Sequence, residues 1–531
     1  MTRSYFPPAL AVLIVVILGG CASLPPGSTF PKRASTAYIH PDDTQVGRLF
    51  AAAAHGHQDN SAFRIISVGA DGFAARMQMI DAAERTLDLQ YFIFRGDQTG
   101  RLLTSALLRA ADRGVGIRVL LDDGQTLAGD EQIVALAAHP QVEIRIFNPF
   151  AYRGHDGFLR FVEFSFNASR LDYRMHNKLL VADNASALIG GRNIGDQYFQ
   201  IDPEGQFADD DIFVGGPVVQ KLSGTFDEYW NSALAIPVEA LRGGMPAPSV
   251  LMQARARLAL GWQKAQTESV DYVKRAGSGE PLAGIISGQS PLVWSGAQVV
   301  CDSPNKKRVT EGSMRGRLMY EPVALAANAV QSELLIITPY FVPTADETRL
   351  VQALRLRNVR VRVLTNSLMS SENLPAHSGY SRVRRQLVKD GVELYEVRAL
   401  LGNARGSGQS AAMSRHGNYG LHAKLFVFDR QKIFVGSMNF DERSSQLNTE
   451  VGLIINSPEL AAQTATRFEA MTQPVNSYIV TLRSTGTGRA HLIWTTQEDG
   501  KSVEYRREPS PSPWRRLAVR LLLLLPLGGE L

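Results

Sequence analysis

Hydrophobic and polar positions along this chain follow two periods, and the order of those periods occurs twice. Residues 71–85 carry a helical pattern, and Leu-Asp-Leu-Gln-Tyr-Phe-Ile-Phe at 87–94 reads as a strand. In the helix predicted over 100–113, Leu102, Leu103, Ala106, Leu107 and Ala110 share one face. Gly114 ends it, and 117–121 is an apolar strand. Strand, helix and strand in that order predict a βαβ unit and a parallel pair. The second half repeats the order, with strand 333–341, helix 347–356, strand 359–364, helix 380–389 closed by Gly391, and strand 392–397. The expected fold class is α/β, built from two duplicated domains with mixed, mostly parallel sheets.

At 531 residues the chain exceeds one ordinary core. The expected division is a processing segment 1–21, a tether 22–60, a first domain 61–235 and a linker 236–315 with a helix at 250–274. A second domain at 316–475 and a C-terminal extension at 476–531 complete it. Near the N-terminus, Arg3 precedes an apolar run at 9–18 that is too short to cross a bilayer. The run ends Leu18-Gly19-Gly20-Cys21, which resembles the lipobox of bacterial lipoproteins. That resemblance implies acylation of Cys21 and an anchor on the membrane surface, facing the periplasm. Without Asp after Cys21, the outer membrane is expected over the inner. An ordinary signal peptide with an incidental Cys is the other reading. If Cys21 is acylated, Cys301 stands alone and no internal disulfide can form.

The net charge of +5 permits contact with anionic lipid without demanding it, and is weak for a nucleic-acid partner. Lys306-Lys307-Arg308 is either a solvated cluster or a headgroup contact, and the Gly/Ser/Ala-rich stretch 402–417 either a plain connection or a lid. Trp514-Arg515-Arg516 with the Leu run 521–525 suggests an interfacial segment or packing on the second domain. His55-Gly56-His57 lacks further metal-binding company, and His377 precedes a helix with no assigned role.

One stretch occurs in both halves. Met175-His176-Asn177-Lys178-Leu179-Leu180-Val181-Ala182-Asp183 leads to Gly190-Gly191-Arg192-Asn193. Leu421-His422-Ala423-Lys424-Leu425-Phe426-Val427-Phe428-Asp429 leads to Gly436-Ser437-Met438-Asn439. On a strand, His176 and Lys178 share a face, as do His422 and Lys424. Brought together, the copies would offer two imidazoles, two ammonium groups and two carboxamides. Such a set repels a divalent cation and attracts phosphate, so no metal or other cofactor is expected. One imidazole can attack phosphorus while the other protonates the leaving alkoxide. Lys178, Lys424, Asn193 and Asn439 would stabilise the phosphoryl oxygens. Each imidazole also needs an acceptor on its other nitrogen, and Asp211 and Glu450, each before an apolar strand, are the candidates. Strand parity puts Asp183 and Asp429 on the far face, in turns, which favours a structural role.

The doubled pattern H-x-K-x4-D-x6-G-[GS]-x-N resembles the signature of the phospholipase D superfamily over about 60–475. The resemblance implies a phosphohistidine intermediate, a metal-free site between two α/β halves, His176 as nucleophile and His422 as acid and base. It places Asp183 and Asp429 within the catalytic motif. It also implies a hydroxyl contact to phosphate from Ser437 alone, because Gly191 stands in the first copy. Gly190 to Asp196, Ile337 to Pro343 and His377 to Tyr380 are similar to strings of bacterial cardiolipin synthases, especially the C type. That implies phosphatidylglycerol as acceptor, with phosphatidylglycerol or phosphatidylethanolamine as donor, at a bacterial membrane. A phospholipase D using water, another phosphodiesterase and a non-catalytic lipid-binding protein are the alternatives.

Overall fold

The computed structural model describes residues 25–524 apart from 58, 125–129, 155, 202–205, 245, 269–283, 285–290, 400–418 and 485–489. Cys21 and the 402–417 stretch lie outside the described residues. The strands of the first half are β1 (Ser61–Ile66), β2 (Thr86–Tyr91), β3 (Gly116–Asp122), β4 (Val142–Phe147), β5 (Leu179–Ala182), β6 (Ser186–Gly190), β7 (Gln206–Ala208), β8 (Asp211–Gly215), β9 (Ala235–Pro237) and β10 (Val293–Ser295). Those of the second are β11 (Ala297–Cys301), β12 (Glu333–Ile337), β13 (Phe341–Val342), β14 (Arg360–Asn366), β15 (Glu393–Val397), β16 (Tyr419–Leu421), β17 (Leu425–Phe428), β18 (Lys432–Gly436), β19 (Phe440–Asp441), β20 (Val451–Ile455), β21 (Ser477–Ser484), β22 (Ala490–Glu498) and β23 (Lys501–Tyr505).

Two large sheets result, in the orders β10-β1-β8-β6-β5-β2-β3-β4-β9 and β11-β20-β18-β17-β12-β14-β15-β21-β22-β23. The segment β5-β6-β8 of one lobe repeats as β17-β18-β20 of the other. Both sheets are mixed, but the parallel pairs are confined to β2-β3-β4 and β12-β14-β15. The expectation of mostly parallel sheets therefore holds only where helices cross over, such as Gln98–Asp112 between β2 and β3. Short turns force antiparallel pairing in the hairpins β5-β6, β17-β18 and β22-β23, and sequence-distant neighbours such as β2-β5 and β12-β17 are antiparallel as well.

The inner faces of the two sheets meet in one shared core. Leu179, Val181, Ala187 and Ile189 of the first lobe join Leu425, Val427, Ile433 and Val435 of the second in one buried cluster. The lobes cannot part without wetting it, at about 1.5–3 kcal/mol for each large aliphatic side chain exposed.

Three expected boundaries move. From residue 25 the supposed tether packs on the first lobe, where Trp230 Nε1 donates to Ser35 Oγ at 2.9 Å and Ala37 N to Asp227 Oδ2 at 2.8 Å. Inside the supposed linker, β10 closes the first sheet and β11 opens the second, so the chain changes lobes at Gly296. The helix Pro248–Glu268 lies on the first lobe through Arg255 and Asp112, 2.6 Å apart. The C-terminal extension supplies β21 to β23 and belongs to the second sheet. His377 clamps it, with Nε2 2.7 Å from Glu508 Oε1. Lys306 proves neither solvated nor a headgroup contact. Its buried ammonium donates to Asp302 Oδ2, Ser444 O and Asn448 O.

Candidate active site

The repeated stretches enter the hairpins β5-β6 and β17-β18. Each hairpin turns on two left-handed residues, Asp183-Asn184 (φ +55° and +52°) and Asp429-Arg430 (φ +51° and +56°). Asp183 accepts from the backbone N–H of Glu84, Arg85 and Thr86, each at 2.8 Å, at the entry to β2. Asp429 does the same for Gln331, Ser332 and Glu333 at the entry to β12. The geometry gives these carboxylates a structural task at the far end of each hairpin, so the motif's Asp does not meet the imidazoles. Asp183→Ala should lower stability by about 3 kcal/mol, since three backbone donors beside a buried position lose their acceptor. Urea unfolding checks this, and a loss below about 0.5 kcal/mol would contradict it.

At the other end of the hairpins the lobes exchange carboxylates. His176 of the first lobe has Nδ1 3.1 and 3.0 Å from the two oxygens of Glu450 in the second. His422 of the second has Nδ1 2.6 Å from Asp209 Oδ2 in the first. Backbone bonds follow the same crossing: His176 N donates to Thr449 O at 2.9 Å and His422 N to Ala208 O at 2.8 Å. The parallel pair β7-β16 and the bridge Met175–Thr449 fasten the two sides. Each imidazole therefore presents Nε2 to the cleft with Nδ1–H committed to an acceptor. Phe92 borders His176 at 5.2 Å, and Tyr198 and Phe207 border His422 at 5.1 and 5.2 Å between ring centres.

Asp211 does not hold an imidazole. It is fully buried between Arg76 at 2.7 Å and Arg192 at 3.1 Å. Sheet register explains the displacement by two residues. Gly190 stands opposite Asp211, whereas Gly436 stands opposite Gly452, which makes Asp209 the counterpart of Glu450. The Gly191/Ser437 difference belongs to the same arrangement. A Cβ on Gly191 would lie 2.1 Å from Asp209 Oδ1, so glycine makes room for that carboxylate. Ser437 Oγ donates to Glu450 Oε2, which occupies the hydroxyl and removes the expected phosphate contact. Ser444 Oγ donates to the other oxygen at 2.8 Å, and Glu450 N to Asp302 Oδ2 at 2.9 Å. Asn193 is likewise engaged, accepting from Ile93 N at 3.2 Å and donating to Tyr198 OH at 2.9 Å. Asn439 Oδ1 is buried without a hydrogen-bond partner among the described residues.

Both ammonium groups sit beside their own imidazoles. Lys178 Nζ donates to His176 O at 2.6 Å and Lys424 Nζ to His422 O, with Lys424 Nζ also 2.9 and 3.2 Å from the two nitrogens of His422. Burial, then the two lysines, push His176 well below its usual 6.5. Burial and Lys424 push His422 down to about 3, against the pull of Asp209. Lys178 falls well below 10.5 and Lys424 to about 8, both through burial first, with Asp209 and Glu450 opposing. Burial would raise Asp209, but His422, Lys424 and Arg192 outweigh it and keep the carboxylate ionised. Burial raises Glu450 despite Lys178. The two lysines each enter the balance of the opposite imidazole, which places all four groups in one electrostatic field.

Two duplicated lobes that join paired His and Lys across a shared cleft define a phosphoryl-transfer enzyme of the phospholipase D type. The sequence matches the family described as "Cardiolipin synthase, PLD-like domain" at residues 77–230 and 324–472. Cardiolipin synthase C of Escherichia coli (strain K12) is 37% identical over 86% of this chain and 93% of its own length. Cardiolipin synthase A of Pseudomonas syringae pv. syringae (strain B728a) is 27% identical over 76% and 67%. A crystal structure of phosphatidylserine synthase from Haemophilus influenzae Rd KW20 shares the fold, with a TM-score of 0.52 at 12% identity over 81% of this chain and 91% of that one. The chain belongs to the cardiolipin synthase family of phospholipase D-like proteins, and it is a phosphatidyltransferase.

Proposed function

We propose that this enzyme makes cardiolipin by passing a phosphatidyl group from one phospholipid to the free glycerol hydroxyl of phosphatidylglycerol, through a phosphohistidine intermediate. The observation that carries the reading is the crossed pair of imidazoles, each oriented by a carboxylate of the other lobe. His176 Nε2 attacks the donor phosphorus, forming a P–N bond as the P–O bond to the head alcohol breaks. His422 passes a proton from the Lys424 ammonium, 3.2 Å from its Nε2, to that alkoxide, then removes the proton of the acceptor hydroxyl, whose oxygen displaces His176. Lys178 and Lys424, in one electrostatic field with both imidazoles, would take up the charge of the phosphoryl oxygens, and Asn439 would add a carboxamide. Asp209, held ionised, suits an imidazole that must pass through its cationic form. A phosphatidylglycerol donor releases glycerol, and a phosphatidylethanolamine donor releases ethanolamine.

The pH profile of kcat/KM follows from these groups. Protonating His176 removes the nucleophile, and its depressed pKa puts the acid limb below 6.5. Lys424 loses its proton near about 8, so the rate should fall above that pH. A rate still rising at pH 9.5 would contradict this proton inventory.

We place the enzyme at a membrane, as a lipoprotein acylated at Cys21 and facing the periplasm, on the strength of the Leu18-Gly19-Gly20-Cys21 sequence. Among the described residues no helix is long and apolar enough to cross a membrane. Purified protein incubated with phosphatidylglycerol vesicles, with and without phosphatidylethanolamine, tests the function. Cardiolipin is the expected product. Phosphatidic acid alone would make the enzyme a hydrolase, and neither product would refute the reading.

A further inference from the structure

We propose that the helices Gly157–Leu171 and Pro513–Leu522, one on each lobe, form a docking face for a phospholipid surface and set the cleft against it. The proposal rests on the phosphatidyl-transfer reading of the site.

The helix Gly157–Leu171 is fifteen residues long, and Leu171 is its one buried residue. Phe158, Phe161 and Phe166 are 71%, 64% and 60% exposed, so its largest apolar groups face outward. A helix packed on a core does the reverse. It is nonetheless fixed to the site. Arg160 Nη2 donates to Asp123 O at 2.6 Å, and the neighbouring Asp122 accepts from Met175 N at 2.8 Å, directly before His176.

The second helix carries an outward stripe at helical spacing: Trp514, Leu517, Leu521 and, just beyond it, Leu524 are all exposed. Its charges are Arg515, Arg516 and Arg520, with no carboxylate. It too reaches the site. Arg515 donates to Ser371 O, the adjacent Glu372 acts electrostatically on Tyr198, and the Tyr198 ring is 5.1 Å from His422.

Thus each imidazole has, within a few contacts, a helix of its own lobe turned apolar side out. On the C-terminal helix the aromatic and leucine stripe lies beside the exposed Arg520, with Arg515 and Arg516 half-buried, which fits an anionic lipid interface where rings enter the acyl boundary and an exposed guanidinium stays with the phosphates. It suits a reaction whose donor and acceptor both lie in the bilayer. A second protein surface would have to supply a carboxylate opposite the exposed Arg520 and an apolar groove for the stripe.

Bimane labels at Phe161→Cys and Trp514→Cys, in the full chain, report insertion directly. Cys301 is buried, and the parent chain treated identically corrects for any label at Cys21. Leu356→Cys is the control: it is 86% exposed and ends the helix Ala345–Leu356 that leads to the start of β14, away from the cleft. With phosphatidylglycerol vesicles bearing brominated acyl chains, labels at 161 and 514 should lose about half their emission or more and the label at 356 none. Absence of quenching at either helix, or equal quenching at 356, would overturn the proposal. In addition, Phe158→Glu/Phe161→Glu and Trp514→Glu/Leu517→Glu should each slow transfer on vesicles about tenfold, with short-chain monomeric phosphatidylglycerol turned over within about twofold of the parent. Equal loss on both substrates would also overturn it. If the parent chain transfers nothing on either substrate, the functional reading fails, while the quenching pattern still decides whether the face binds lipid.

Discussion

Replacing His176 or His422 by Ala is expected to cut phosphatidyl transfer by about 10⁴-fold or more, with the fold intact. The loss is large because, in the proposed mechanism, each ring has a separate covalent or proton-transfer task that no neighbour can assume. Lys178 and Lys424 cannot replace an imidazole as nucleophile, and in the proposed mechanism they serve the phosphoryl oxygens. The fold survives because backbone contacts cross between the lobes at these positions and remain when the ring–carboxylate contacts are lost. His176 N to Thr449 O and His422 N to Ala208 O do not involve the rings. The double substitution should cost little more than either single one, since the two rings act on one reaction path. Initial rates and circular dichroism on the three variants check this. A single variant that keeps full activity would end the shared-site account.

A second large effect separates two neighbouring carboxylates. Asp209→Asn should lower kcat by about 10³-fold with little change in stability, because the amide keeps the shape but supplies no charge to His422. Asp211→Asn should do the opposite. It leaves Arg76 and Arg192 buried without their carboxylate, at a cost of about 3–5 kcal/mol, with Nδ1 of His422 still held by Asp209. Parallel measurement of kcat and thermal unfolding distinguishes the pair. Wild-type activity in Asp209→Asn would contradict the crossed arrangement.

That pair also marks where the amino-acid sequence stops being legible. The imidazoles and lysines could be found because their spacing is local and repeated, as could the helices Gln98–Asp112 and Ala345–Leu356, whose apolar faces recur at helical period. The sequence offers Glu450 and Asp211 as acceptors for the two imidazoles, and the structure sets Glu450 on His176. Asp211 resembles its counterpart because both precede an apolar strand, but position here is set by cross-strand register, Gly190 opposite Asp211 and Gly436 opposite Gly452. A signal was present in Gly191, since the glycine that replaces Ser437 marks the room Asp209 needs. β10 and β11 leave no legible signal, because strands of three and five residues on either side of one glycine carry too little period. The helix Gly157–Leu171 was missed for another reason. Its phenylalanines face solvent, so burial never imposed a stripe on the sequence.

The claim beneath all of this is that phosphorus is carried on one imidazole of the pair. Enzyme mixed with phosphatidylglycerol labelled in its phosphate, stopped within a turnover in alkaline denaturant and mapped by peptide mass spectrometry, addresses it most directly. The expected result is a phosphatidyl adduct on the peptide that contains His176. An adduct on any other residue, or none on a timescale shorter than turnover, would contradict it.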